Sequence, residues 1–154
     1  MAKIPMASGF TPIDEGEYIF QIYQVEDDET FGIYKVHLVT ADGLTHVERF
    51  YILNDDGSIR EGALGKLSYL AKCALNDFDR DGDWDTQEIV GCYIRGEIVH
   101  KATESTKTPG KTVTFVNLDE INPAEGFDTE ISEKAQKIID KGKAAGTSLS
   151  DLLG

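Results

Sequence analysis

A chain of 154 residues with 40% apolar, 9% aromatic and 28% charged residues has the size and composition of one globular domain, which excludes wholesale disorder and a fibrous fold. Its 15 Lys and Arg face 28 Asp and Glu, a net charge of −13 that repels polyphosphate overall, so any nucleic-acid contact must rest on a local exception. No run approaches the ~18 apolar residues of a bilayer span, the N-terminus lacks the regions of a signal peptide, and Cys73 and Cys92 make no disulfide framework. The expectation is a cytosolic protein with reduced thiols and no membrane partner.

The first strand follows the turn residues Pro12 to Gly16, with Tyr18, Phe20 and Ile22 alternating against Ile19, Gln21 and Tyr23, and it closes at the acidic run Glu26 to Glu29. A second run, Phe31 to Thr40, places Phe31, Ile33, Lys35, His37 and Val39 on one face and Tyr34, Val36 and Leu38 on the other. Asp42-Gly43 then signals a hairpin into a third strand, Leu44 to Leu53, where Val47, Arg49 and Tyr51 oppose His46, Glu48, Phe50 and Ile52. The period next lengthens: Leu64, Leu67, Ala71, Ala74 and Leu75 recur at three- and four-residue steps, predicting a helix from Glu61 to Leu75 with Ser58 as its cap. A fourth strand runs from Ile89 to Lys101 with Gly91 and Gly96 inside it, and a polar tip from Thr103 to Gly110 leads to a fifth, Lys111 to Ile121. Ser132 to Ala145 reads as an amphipathic helix capped by Ser132 and stopped at Gly146, an appendage to the rest.

This β-β-β-α-β-β order predicts an all-β fold: a five-stranded oligonucleotide- and oligosaccharide-binding (OB) Greek-key barrel with a helix between strands three and four and a C-terminal helix. Residues 9–127 would form the barrel domain and residues 128–154 the C-terminal helix and tail. A split sandwich with a packed helix is the competing architecture.

Between Gly91 and Leu118 lies the one cationic stretch, with Arg95, Lys101, Lys107 and Lys111 against Glu97 and Glu104. Single-stranded nucleic acid needs cations for its phosphates and aromatic faces for its bases. Tyr34, Tyr51, Tyr93 and Phe115 can supply faces beside Lys35, Arg49 and Arg95, and each ring can equally be core. The sharpest short motif is elsewhere. Asp77, Asp79, Asp81, Gly82, Asp83, Asp85 and Glu88 match the EF-hand calcium pattern, with carboxylates at the first, third and fifth positions, glycine at the sixth and glutamate at the twelfth. Trp84 at the eighth place and the strand after Glu88 depart from that pattern, and a solvated acidic loop is the alternative. His37, His46 and His100 have no metal spacing, and no phosphate loop, nucleophile elbow or dinucleotide fingerprint occurs, so no catalytic residue is expected.

The stretches GFTPIDEGEYIFQIYQVE, GLTHVERFYIL, LGKLSYLAKCAL, EIVGCYIRGEIVHK and GKTVTFVNLDEINPAEGF, over residues 9–127, resemble a family of small bacteriophage proteins encoded in replication and recombination modules. The resemblance rests on Gly16 to Tyr18, Val90-Gly91 and Gly110-Lys111, and it implies a non-enzymatic single-stranded-DNA-binding protein of the OB type. Its partners would be single-stranded DNA and phage replication or recombination proteins, in the cytoplasm of the infected bacterial host. No family contact residue carries over. The expected interface is therefore the set read from the residues: Lys35, Arg49, Arg95, Lys101, Lys107 and Lys111 for phosphates, and Tyr34, Tyr51 and Tyr93 for bases. The other functional class open to this sequence is an acidic protein-interaction module, a DNA mimic or an inhibitor of a basic partner. A third is a module stabilised by calcium at Asp77, Asp79, Asp81, Asp83 and Glu88.

Overall fold

The structure, a computed structural model, describes residues 13–28, 30–104, 110 and 112–153. Strands β1 (Gly16–Asp28), β2 (Ile33–Val39), β3 (Thr45–Tyr51), β4 (Tyr93–Glu104) and β5 (Thr112–Pro123) form one antiparallel sheet in the order β3-β2-β1-β4-β5. Helix α1 (Glu61–Leu75) lies between β3 and β4 in sequence, a short 3-10 helix spans Thr86–Ile89, and α2 (Glu133–Leu153) ends the chain. The protein is mainly β. Among the described residues no helix is long and apolar enough to cross a membrane.

Alternation sends Tyr18, Phe20 and Ile22 of β1, Val36 and Leu38 of β2, Phe50 of β3, and Ile94 and Ile98 of β4 to one inner face. Two bulges keep that face apolar where strict alternation fails. Tyr23 is unmatched between the Ile22–Leu38 and Gln24–His37 pairs, so Val25 turns inward where Gln24 would have pointed. On β5, Glu120 at φ 34° is the extra residue, and both Leu118 and Ile121 are buried as a result. Gly96 opposite has no room for a Cβ because the Leu118 side chain occupies the space. Against this face α1 lays Leu67, Leu70, Ala71 and Cys73, all in the same buried cluster. Cys73 is buried and Cys92 half-buried, and both are free thiols.

The expected barrel is not closed: no ladder joins β3 to β5 among the described residues, so the sheet has two edges. Side chains bridge them instead. Glu48, on β3 and 7% exposed, accepts the Leu118 N–H of β5 at 2.7 Å, and Lys66 of α1 donates to the Leu118 carbonyl at 2.6 Å. His46 Nε2 stands 2.8 Å from the same Glu48 oxygen. Helix α1 packs on both edge strands, and the buried carboxylate satisfies an amide that ladder pairing would otherwise have used.

Helix α1 has the bounds expected, but its cap differs: Arg60 precedes the first turn without a side-chain bond, and Ser58 is held by Asp56, to which its N–H and hydroxyl both donate. Helix α2 continues through Gly146 to Leu153. Ser132 does cap it, accepting the Ala135 N–H at 3.1 Å. Its first turns bury Ala135 and Ile139 against Val39 and Tyr23 on the outer face of the sheet.

Candidate nucleic-acid interface

The outer face of β2 and β3 carries Ile33, Lys35 and His37 opposite Tyr51, Arg49 and Val47, in the cross-strand pairs Ile33–Tyr51, Lys35–Arg49 and His37–Val47. Directly opposed side chains sit about 5 Å apart at Cβ, so Lys35 and Arg49 form one cationic step. Arg49 is exposed and Lys35 half-buried, and among the described residues neither has a carboxylate within 4.0 Å. Tyr51, next to them on β3, is 47% exposed. The acid nearest in register is Glu26, the β1 partner of Lys35, and its carboxylate is turned to His37 Nε2 at 3.0 Å.

At the end of this strip Phe31 stands 67% exposed in the turn joining β1 to β2. Its N–H donates to Asp28 Oδ1 at 3.3 Å. Gly32, at φ 64°, lies against Leu53 so closely that a Cβ would come within 2.5 Å of Leu53 Cγ. A side chain cannot occupy position 32, and the ring at 31 is displayed from a turn fixed at its base. Sequence reasoning assigned Phe31 to the strand face of Ile33 and Lys35 but not to the interface. The signal available was an aromatic followed by glycine at the end of an acidic run.

The other expected contacts fall elsewhere. Arg95 is on the outer face of β4, where its Nη1 donates to Glu17 Oε1 at 2.8 Å, so its charge is already engaged. Tyr93 is half-buried with its ring edge-on to Phe127 at 5.1 Å. Tyr34 faces inward against the core and lines an acidic groove with Trp84. Lys101 is exposed opposite Phe115, itself 54% exposed, at the far end of β4 and β5. Lys107 and Lys111 lie outside the described residues. The structure thus sets Lys35, Arg49 and Tyr51 on one face with Phe31 exposed in the turn that leads into β2, places Lys101 opposite Phe115 as a second pair, and leaves Tyr34, Tyr93 and Arg95 in structural contacts.

The loop from Asp77 to Glu88 is organised by its own hydrogen bonds. Arg80, at the fourth place of the motif, reaches both Glu88 oxygens at 2.9 and 3.0 Å. Glu88 also accepts the Asp85 N–H at 2.9 Å while Asp85 accepts the Gln87 N–H, a reciprocal cap on the 3-10 helix. The Asp85 amide and the Arg80 guanidinium hold the Glu88 carboxyl below the usual carboxylate range. The glutamate that would close a calcium cage is thereby turned toward a cation of the chain itself. Asp77, Asp79, Asp81 and Asp83 are exposed, and among the described residues no three His, Cys, Asp or Glu side chains converge as a metal site.

The geometry on β2 and β3 can do three things: fix anions at Lys35 and Arg49, offer flat apolar faces at Tyr51 and Phe31, and leave a bound chain accessible to solvent on one side. The chain matches no protein-family model, no curated protein and no solved structure.

Proposed function

We propose that the protein binds single-stranded DNA, without catalysing a reaction, on the outer face of β2 and β3. The observation that carries this reading is the Lys35–Arg49 step, free of acid partners among the described residues and flanked by the exposed rings of Tyr51 and Phe31, on a chain of net charge −13. The cations hold phosphates, and the rings stack bases with little regard to sequence because every base has a π-face. Lys101 and Phe115 extend the contact toward the β4–β5 hairpin. The strand order, with α1 between β3 and β4, supports a partly open OB-type sheet, a fold that uses this same face and the adjoining loops for oligonucleotides. A phage replication or recombination role in the cytoplasm of an infected bacterium belongs to the same proposal.

Labelled oligothymidine titrated at two salt concentrations tests it. Binding at low salt that weakens steeply as salt rises is expected, since phosphate contacts release counterions. No binding at low salt overturns the reading.

A second reading, an acidic module that binds a basic protein, is favoured by one feature. A groove lined by Tyr34 and Trp84 also carries Asp27, Asp83, Asp85 and Glu88, four acids against the single cation Arg80. The two readings separate under Lys35→Glu with Arg49→Glu, which abolishes oligonucleotide binding and leaves capture of a basic partner unchanged.

A further inference from the structure

Helix α2 holds four lysines in its described turns, Lys134, Lys137, Lys141 and Lys143, all exposed and none within 4.0 Å of a carboxylate among the described residues. Their placement follows from the helical period. Ala135, Ile139 and Gly142 are buried and mark the side packed on the sheet, whereas Lys134, Lys137 and Lys141, at i, i+3 and i+7, fall on one stripe beside it. Glu133 and Asp140, at i−4 and i+3 of Lys137, neighbour that lysine on the helix surface without coming within 4.0 Å of it, and Asp140 is engaged by the Gln136 amide at 2.9 Å. Over Lys134 to Lys141 the stripe is roughly 10 Å long at the helical rise.

Several contacts fix where this stripe sits. The Ser132 N–H donates to the Ala41 carbonyl at 2.8 Å, and the Lys134 methylenes cover Gly43 in the turn between β2 and β3. Farther on, Gly142 lies against the ring and carbonyl of Tyr23 on β1. The helix therefore crosses the outer face from the β2–β3 turn to β1. The Tyr23 ring is 5.7 Å from that of His37, and His37 is two residues along β2 from Lys35, on the same face. The lysine stripe and the Lys35–Arg49 step share one side of the sheet. Helix α1, with Arg60 at its start and Lys72 in its last turn, packs on the other side.

We infer that the Lys134, Lys137 and Lys141 stripe of α2 continues the phosphate track of β2 and β3, so that one single-stranded polynucleotide runs along both. This rests on the DNA-binding reading above. Its physical basis is charge complementarity: these unpaired cations are concentrated on the face that also shows the exposed rings, within a molecule whose net charge repels polyanions elsewhere.

The test compares Lys137→Gln with Lys141→Gln against a control of equal charge change, Arg60→Gln with Lys72→Gln, in the full chain, with far-UV circular dichroism to confirm folding. At about 50 mM salt the α2 variant is expected to bind oligothymidine roughly tenfold more weakly than wild type, and its salt slope to fall by about 1.4, since each phosphate contact to a single strand contributes about 0.7. The control should stay within about twofold of wild type. Equal weakening in the two variants overturns the inference while leaving the β2–β3 reading intact; a wild-type chain that binds no oligothymidine overturns both. Wild-type binding of polyglutamate that is lost in the α2 variant, with oligothymidine binding unchanged, overturns it in favour of an acidic polypeptide partner.

Discussion

Tyr34, Tyr51 and Tyr93 are chemically identical, and their surroundings give them three different fates. Tyr51 falls on the outer parity of β3 and is 47% exposed, Tyr34 falls on the inner parity of β2, and Tyr93 meets Phe127 edge-on at 5.1 Å. Phe31→Ala or Tyr51→Ala should each weaken oligothymidine binding by ~1–3 kcal/mol, the worth of one stacked base, with little change in melting temperature for Phe31, which is 67% exposed, and a small fall for the half-exposed Tyr51. Tyr93→Ala should do the reverse. It removes a ring pair worth ~0.5–1.5 kcal/mol beyond its buried area, so the melting temperature falls while oligonucleotide affinity holds. Fluorescence titration and calorimetry on the three variants distinguish these outcomes. Parity along the strands was readable from alternation, and it placed Arg49 with Tyr51 and Lys35 with Ile33. That Arg95 meets Glu17, 78 positions away, was not readable, because nothing local in either segment encodes the register of β1 against β4.

Among the elements, β3 and β5 are joined through Glu48, whose oxygen accepts the Leu118 N–H from a buried position. Removing the carboxylate leaves the buried Leu118 N–H unsatisfied, at a cost of ~1–3 kcal/mol. Glu48→Ala should therefore lower stability by about 2 kcal/mol. Chemical denaturation would show it as a lower midpoint. Helix α2 carries a related lesson at Gly142, where a Cβ would meet the Tyr23 ring and carbonyl at 2.7 Å. Glycine to alanine in a helix gains ~1 kcal/mol from propensity, but overpacking a close contact costs ~1–3 kcal/mol. Gly142→Ala should lower the melting temperature, while Ala at the exposed Gly62 of α1, with open space around it, should raise it. The sequence shows a glycine inside a helix in both places. Only the neighbour across the interface gives the two substitutions opposite signs.

For the molecule as a whole, a net charge of −13 means that binding to a polyanion must be local, short-ranged and sensitive to salt. The apparent affinity for oligothymidine should fall by an order of magnitude or more between about 50 and 200 mM salt, and an affinity flat across that range would locate the contact away from the lysines. Composition and alternation determined the mainly β content, the two-face parity of β2 and β3 and the length of α1, because these follow from local periodicity and from burying apolar side chains. Folding alone laid α2 across the face that carries the Lys35–Arg49 step, and left β3 and β5 joined by side chains instead of a ladder. Each of these depends on groups far apart in the chain meeting in space. Their energies come from packing and from satisfying buried polar atoms, which no short stretch of sequence specifies.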